Sequence, residues 1–354
     1  MNKEKIKINI YYNLSQELEN LWLNFEKNSN LYLFQKYKFI KNFVEDKEEN
    51  KIFIILSLKN KILAILPFEI KKKFGFKIIQ WLGTKEFDYC GPIIANLEQE
   101  GIDSIQFKEA WEKIFTKYIK VDLIFLDKQL EKINDYKNPF VKYLKNIIIS
   151  KIYTIKLPEN YQLFLEKIEN KKFLNEFKRT TSKLTKDNKV EFFEIENNDK
   201  SIGVNEIIKQ KAQILEKKEI RHILNNKMIN FLNKLKDEND SLIKISALKI
   251  NGEVIAANLG FVFNQRFYYF MPVLFSKKFN KFSPGKVLIS YLIEWSIINK
   301  FKVFDFGLGD ENYKKYWSNF NENLFRYLEF RSLKGLVAYL FIKFYLLIKQ
   351  FKLN

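Results

Sequence analysis

The 354-residue chain has a single cysteine, Cys90, and a single histidine, His222. One thiol cannot close an internal disulfide, so the reducing cytoplasm is the expected compartment. Zinc sites draw on several Cys and His ligands, so no metal is expected. Any mechanism that turns on an imidazole would have to use His222, in the polar run Lys218-Glu219-Ile220-Arg221-His222, which reads as a loop. Only 11 glycines and 6 prolines are present, which leaves little material for a flexible linker. The N-terminal Met-Asn-Lys-Glu-Lys lacks the apolar core of a signal peptide. Arginine is scarce as well: Arg179, Arg221, Arg266, Arg326 and Arg331 complete the set. Where lysine has taken most basic positions, a surviving arginine is a candidate for gripping phosphate or carboxylate, with surface ion pairs as the plainer alternative.

What is abundant points to folded cores. Hydrophobic residues make up 47% of the chain and phenylalanine occurs 35 times, which excludes a disordered protein. At roughly 150 residues per domain, the length predicts two domains. The net charge of +19 suits anionic partners such as phospholipid head groups or a polyphosphate cofactor. Because the excess is nearly all lysine, amid abundant Ile, Asn and Phe, composition drift explains much of it, and nucleic acid is not an expected partner. The stretch Gly335 to Phe351 is apolar but interrupted by Lys343 and Lys349. It is too short and charged for a membrane span. It reads either as a helix packed on the core or as one lying in a bilayer interface.

Periodicity predicts mixed α and β structure. In the first half, strands are expected at Ile6 to Tyr12, around a Lys59-Asn60-Lys61 turn in Lys51 to Ile70, at Lys77 to Leu82 and at Val121 to Leu126. Helices are expected at Leu14 to Lys27 (capped near Ser15), Gln35 to Glu45 and Ser104 to Tyr118. The second half begins near Lys151. It places a meander over Leu242 to Ile250, Glu253 to Val262 and Arg266 to Met271, its first turn the hairpin signal Asn251-Gly252. A helix from Pro284 to Asn299 and strands at Val303 to Phe306 and Leu324 to Phe330 follow. The hairpin of Leu58 to Phe68 weakly echoes that of Leu248 to Phe261, as a duplicated fold would.

Two segments carry candidate chemistry. Ser283-Pro284-Gly285-Lys286 opens an amphipathic helix, with serine at the cap, proline in the first turn and a glycine that lets a bulky anion approach the backbone. Helix N–H groups and Lys286 would attract a pyrophosphate there. The second segment is Asp305-Phe306-Gly307-Leu308-Gly309-Asp310-Glu311-Asn312-Tyr313-Lys314-Lys315-Tyr316-Trp317. It sets an acid in an apolar strand before two glycines and further acids and tyrosines. Asp305 reads either as a site residue or as a structural acid pinning the turn.

The ordered combination of strand, hairpin, strand, SPGK helix, strand and DFGLGDENYKKYW resembles the CelD-like acyltransferases of the GNAT superfamily, which are similar to the FemAB-like transferases. The likeness is good from about Ile152 to Phe330 and thinner over Leu66-Pro67-Phe68 and Trp81 to Pro92. It implies an α/β fold of mixed sheets with tandem GNAT-like domains in a FemAB-like arrangement. The expected divisions are a non-catalytic, substrate-shaping domain at 1–150, an acyltransferase domain at 151–332 and a C-terminal helix at 333–354. It implies transfer from acetyl-CoA or another acyl-CoA to an amine, such as an amino sugar or polysaccharide precursor. Ser283, Pro284, Gly285 and Lys286 would hold the cofactor. Backbone amides of Asn258, Leu259, Gly260 and Phe261 would stabilise the oxyanion. Asp310 or Glu311 would take the amine proton, directly or through water, and Tyr313 or Tyr316 would return one to the thiolate. Lys314 or Arg179 would hold an anionic part of cofactor or substrate, and Asp305, Gly307 and Gly309 would shape the substrate side. The alternatives are a peptidyltransferase using aminoacyl-tRNA and a non-catalytic scaffold at the inner membrane face. The absence of a sustained heptad arm favours acyl-CoA over tRNA.

Overall fold

A computed structural model describes residues 5–44, 50–96, 103–195, 200–217, 224–237 and 241–351. The chain divides into two compact units, 1–150 with 323–354, and 151–322. His222 and Arg221 lie outside the described residues.

The first unit runs β1 (Lys7–Tyr11), α1 (Gln16–Glu26), β2 (Ser29–Asn30), α2 (Tyr37–Phe43), β3 (Lys51–Leu58), β4 (Lys61–Lys73), β5 (Phe76–Trp81), β6 (Ile93–Ala95), α3 (Ser104–Lys113), β7 (Leu123–Leu130), a small ribbon of β8 (Lys132–Ile133) and β9 (Tyr136–Lys137), and α4 (Pro139–Tyr143). Ser15 caps α1 by accepting from the Leu18 N–H. β1, β3, β4 and β5 pair antiparallel in that order, and β7 joins β5 in parallel through Ile78↔Leu123 and Gln80↔Phe125. The turn residues Lys59 and Asn60 both have positive φ, as a two-residue hairpin of the favoured twist requires. Aromatic rings fill this unit: Trp81 stacks on Phe68 at 4.5 Å, and Phe140 meets both Trp81 and Trp111 edge-on at 5.1 Å.

The second unit runs β10 (Asn146–Lys156), α5 (Tyr161–Lys167), α6 (Lys171–Asp187), β11 (Val190–Glu194), α7 (Lys200–Lys217), α8 (Asn226–Asp237), β12 (Ile243–Ile250), β13 (Glu253–Phe263), β14 (Arg266–Leu274), α9 (Pro284–Ile298), β15 (Val303–Leu308), α10 (Asn312–Trp317) and the start of β16 (Phe320–Phe330). Its strand order is β10-β15-β14-β13-β12-β11. All neighbours are antiparallel except β14 and β15, whose parallel pairing follows from the crossover through α9. One face of the meander packs Leu248, Ala256 and Phe267 against Val287, Leu288 and Leu292 of α9 and Phe173 and Phe177 of α6. On the other face, Gly203 of α7 lies against Ile245.

Leu324 to Phe330 of β16 pair with β7, so residues 323–332 belong to the first unit and not to the second half as expected. The terminal helix α11 (Leu333–Phe351) follows within that same unit. The segment after Gly309 contains the short helix α10.

Candidate active site

The site is framed by a split in the second unit's sheet. β14 and β15 run in register at Arg266↔Val303, Phe267↔Phe304 and Tyr268↔Asp305, and their pairing ends there. β15 stays with β10, through Thr154↔Asp305 and Ile152↔Leu308. β14 stays with β13, through Met271, Pro272, Val273 and Leu274. A bulge between the Gly260↔Tyr269 and Leu259↔Met271 pairs re-aims β14 at the split. Pro272 can donate no ladder hydrogen bond, so its strand suits an edge. Gln210 and Lys211 of α7 donate instead to the Leu274 and Pro272 carbonyls, at 2.6 and 3.5 Å. Both loops beyond the split, the one into α9 and the one into α10, leave the carboxyl ends of parallel strands, where α/β sheets bind ligands.

Helix α9 begins in an unusual way. Ser283 has φ 51° and ψ 59°, and its side chain makes no cap. The hydroxyl cap read from sequence is therefore absent. The serine instead closes the preceding turn, its N–H bonded to the Asn280 carbonyl, and its own carbonyl accepts from the Lys286 and Val287 N–H groups. Pro284 has no N–H to satisfy. A methyl group at Gly285 would meet only Leu274, at an ordinary 3.9 Å, so this helix end is not plugged by packing. The Lys286 ammonium lies 5.4 Å from the Phe173 ring centre. The result is a helix N-terminus with room beside its backbone, a partial positive charge and a lysine, which fits a pyrophosphate.

Across the split, Asp305 is fully buried. Its carboxylate accepts from Arg266 at 2.7 Å and from the Gly307 N–H at 2.8 Å. It is committed to the frame and not available to substrate. Gly307 has φ 66° and Gly309 φ 129°, so both turns need glycine. Lys314 is buried at 3% exposure, with its ammonium on the Leu308 carbonyl at 2.7 Å and on Glu311 at 3.0 Å. It braces the Gly309 turn, so the expectation that it holds cofactor gives way to a structural role. Arg179 is exposed on α6.

Asp310 is exposed and accepts from the Tyr153 hydroxyl at 2.6 Å and from Lys315 at 3.0 Å. Those two contacts, the phenol first, hold its carboxyl below the usual value. Burial and then the Asp310 hydrogen bond push the Tyr153 phenol up to about 12. The Tyr313 phenol is raised by burial and by Glu311, and it packs edge-on against Phe306 at 6.1 Å. Tyr316, partly exposed, tilts over Phe173 at 5.2 Å.

Asn258, Leu259 and Gly260 are not at the split. They lie in mid-β13, laddered to β12 and β14 on either side, so their backbone amides cannot form an oxyanion hole. Gly260 is explained by packing, since a methyl there would clash with the Phe267 ring and the Tyr268 carbonyl. The splayed strand is β14, one place along. Sequence reading missed Pro272, whose presence inside an apolar strand was the available signal, and Tyr153, which nothing local marks.

Residues 171–315 match the acetyltransferase (GNAT) domain family. The match opens with α6 and closes in α10, so it contains the α9 start, the split and the Gly309 turn. No curated protein sequence matches significantly. Among solved structures, the chain is similar to L-PGS from Bacillus licheniformis, with 13% identity and a TM-score of 0.51, covering 92% of this chain and 96% of that one. It is also similar to a conserved protein of unknown function from Bacteroides thetaiotaomicron, with 9% identity and a TM-score of 0.52, covering 92% and 100%. A third is the C-terminal domain of a candidate lysylphosphatidylglycerol synthetase from Agrobacterium fabrum, with 10% identity and a TM-score of 0.50, covering 79% and 84%. At these identities the likeness is one of fold. The second unit thus carries a GNAT acetyltransferase domain over residues 171–315, and the protein is an acyltransferase. Such domains take acyl-CoA as donor and an amine as acceptor.

Proposed function

We propose that the protein is an acyl-CoA-dependent N-acyltransferase whose acceptor is an amino sugar or another polysaccharide precursor, acting in the cytoplasm with peripheral contact at the inner membrane face. The observation that carries the acyl-CoA reading is the uncapped start of α9 beside the split between β14 and β15. The diphosphate rests on the Gly285 end of that helix with Lys286 alongside, and the thioester extends into the split. The acceptor nitrogen bonds to the thioester carbonyl carbon, the carbon–sulfur bond breaks, and the nitrogen gives up one proton while the thiolate takes one. Edge amides of β14 beyond Tyr268 stabilise the oxyanion; Pro272 contributes none.

Asp310 is a poor candidate for a base poised near neutrality, because its contacts hold it ionised. An anion that stays charged can still stabilise the developing positive nitrogen and guide its proton to water. The raised Tyr313 phenol stays protonated and can supply the thiolate. The test is acetyl-CoA binding by calorimetry together with turnover on a panel of amino-sugar nucleotides. Asp310→Asn and Glu311→Gln together should lower kcat by about a hundredfold with CoA affinity retained. Unchanged turnover removes both residues from the mechanism, and failure of the native protein to bind any acyl-CoA removes the reading.

A further inference from the structure

We propose that the first unit carries an anionic-bilayer docking surface built from two elements, the β4–β5 hairpin tip and the exposed face of α11. The proposal rests on this unit alone and does not depend on the acyl-transfer reading. The hairpin tip reads Lys71-Lys72-Lys73-Phe74-Gly75-Phe76-Lys77. Phe74, at φ 49° in the two-residue turn, is 87% exposed. A large apolar ring held out at a turn where Asn or Gly would serve has no use in the fold itself.

Helix α11 presents a second apolar surface. Leu333 is 86% exposed, Val337 50%, Leu340 56%, Phe341 73% and Phe344 63%. At about 3.6 residues per turn these five fall within roughly 100° of arc, with Lys334 and Lys343 flanking the stripe on either side. The opposite face carries Gly335 and Ala338 and is buried. A methyl group at Gly335 would overlap the Asp122 carbonyl, so the helix sits hard against the start of β7.

Asp122 ties the two elements together. Its carboxylate accepts from the Lys77 N–H at 2.8 Å and from the Ser332 hydroxyl at 2.6 Å, and that hydroxyl accepts from the Gly335 N–H at 2.9 Å. Lys334 donates to the Gly75 carbonyl at 3.3 Å. The hairpin tip and the first turn of α11 therefore present Phe74 and Leu333 from one braced corner.

Charge chooses the occupant. No acid occurs from Ile70 to Lys77 or from Leu333 to Phe351. Rings and leucines surrounded by lysines match acyl chains beneath anionic head groups, with lysine stems reaching up to phosphate. No helix among the described residues is long and apolar enough to cross a membrane, so α11 would lie in the interface plane.

Flotation of the full chain with vesicles of phosphatidylcholine alone, or of equal parts phosphatidylcholine and phosphatidylglycerol, tests this. Binding should require phosphatidylglycerol and weaken with salt. Phe74→Asn and, separately, Phe341→Ser with Phe344→Ser should each reduce partition at least about tenfold. Lys72→Gln with Lys73→Gln should reduce it by about a further order of magnitude. These side chains are exposed, so unfolding midpoints should not move. Independently, a Phe74→Trp variant should shift its emission to the blue on anionic vesicles. Three results would overturn the proposal: equal binding to both vesicle types, anionic binding indifferent to the Phe variants, or lipid-free self-association that the same variants abolish, which would make a second copy the occupant.

Discussion

The two units share a frame and differ at one end of it. Each has a type of hairpin closed by two positive-φ residues, Lys59-Asn60 in the first and Asn251-Gly252 in the second. Each carries a bulge at the same place, beside Leu56↔Ala64 and Leu248↔Ala256. Each then adds a third antiparallel strand, a helix and a parallel strand. In the first unit β5 ends at Trp81, one residue beyond its last parallel pair. The following loop covers the edge of β7: the Cys90 N–H donates to the Lys128 carbonyl and the Lys128 ammonium to the Phe87 carbonyl, at 3.0 and 2.7 Å. Burial pushes the Cys90 thiol up to about 12, so it is no nucleophile. In the second unit β14 runs on from the last pair to Leu274, and among the described residues no such loop closes the split. The crossover helices differ in the same sense. Asp103 caps α3 through the Ile105 and Gln106 N–H groups, placing a carboxylate where an anion would bind. The start of α9 has no side-chain cap. The first unit fills with its own residues what the second leaves open at the start of α9.

The acids near the ends of the parallel strands give the largest expected effect. Asp127 is held by Arg326 through two bonds of 3.1 and 2.7 Å, much as Asp305 is held by Arg266. Because the unit outside the acetyltransferase match carries the same pairing, the pairing serves the frame. Asp127→Ala and Asp305→Ala should each cost about 3–5 kcal/mol by removing the buried carboxylate that holds the arginine, read by urea unfolding. A loss of kcat in a refolded Asp305→Asn enzyme beyond its loss of stability would break the parallel and return Asp305 to the chemistry.

Next comes a transfer of the first unit's device to the second. Gly285→Asp puts a carboxylate in the open space at the start of α9. It should weaken acetyl-CoA binding at least about tenfold while stabilising the helix by about 0.3–1 kcal/mol. Opposite signs in calorimetry and thermal unfolding are the signature; unchanged affinity would place the diphosphate elsewhere. The converse, Asp103→Ala, should cost about 1 kcal/mol of stability and leave turnover untouched.

These contrasts show which features the sequence announced. The meander, its Asn251-Gly252 turn and the Pro284 helix were legible because periodicity and turn chemistry are local. The arginines were legible in kind: among the described ones Arg266, Arg326 and Arg331 all pair with carboxylates, Arg331 with Glu112 and Glu329, where a planar fork cannot be exchanged for lysine. The strand that splays was misplaced by one position, since splaying depends on which neighbour β15 follows, and that is a non-local choice between β10 and β14. Lys314 looked like a cofactor ligand because a buried lysine and an exposed one are spelled alike. The cap at Ser283 failed for a related reason: its φ is set by the turn at Asn280 to Phe282, not by the helix it precedes.

The smallest effect concerns tyrosine–carboxylate pairs, which both units contain. Tyr11 donates to Glu17 at 2.8 Å in the first unit and Tyr153 to Asp310 at 2.6 Å in the second. Only the second pair stands at the candidate site, so Tyr11→Phe should leave kcat unchanged. Tyr153→Phe should let the Asp310 carboxyl rise toward 3.8, its ordinary value, in a carbon-detected titration. The sign follows from linkage. A carboxyl depressed in the folded protein contributes stability that is present above the unfolded value and lost as pH falls through the lower folded one. The native protein and Tyr153→Phe should therefore differ most above pH 3.8 and converge in stronger acid, and solvent around this exposed carboxyl keeps the difference small. If Asp310 acts as a fixed anion, it remains ionised near neutrality in both proteins, and the alkaline rise of kcat, set by deprotonation of the acceptor amine, keeps its position. A displaced rise in Tyr153→Phe would mean that Asp310 exchanges the proton itself, and the difference between the two pairs would then be one of chemistry and not of placement.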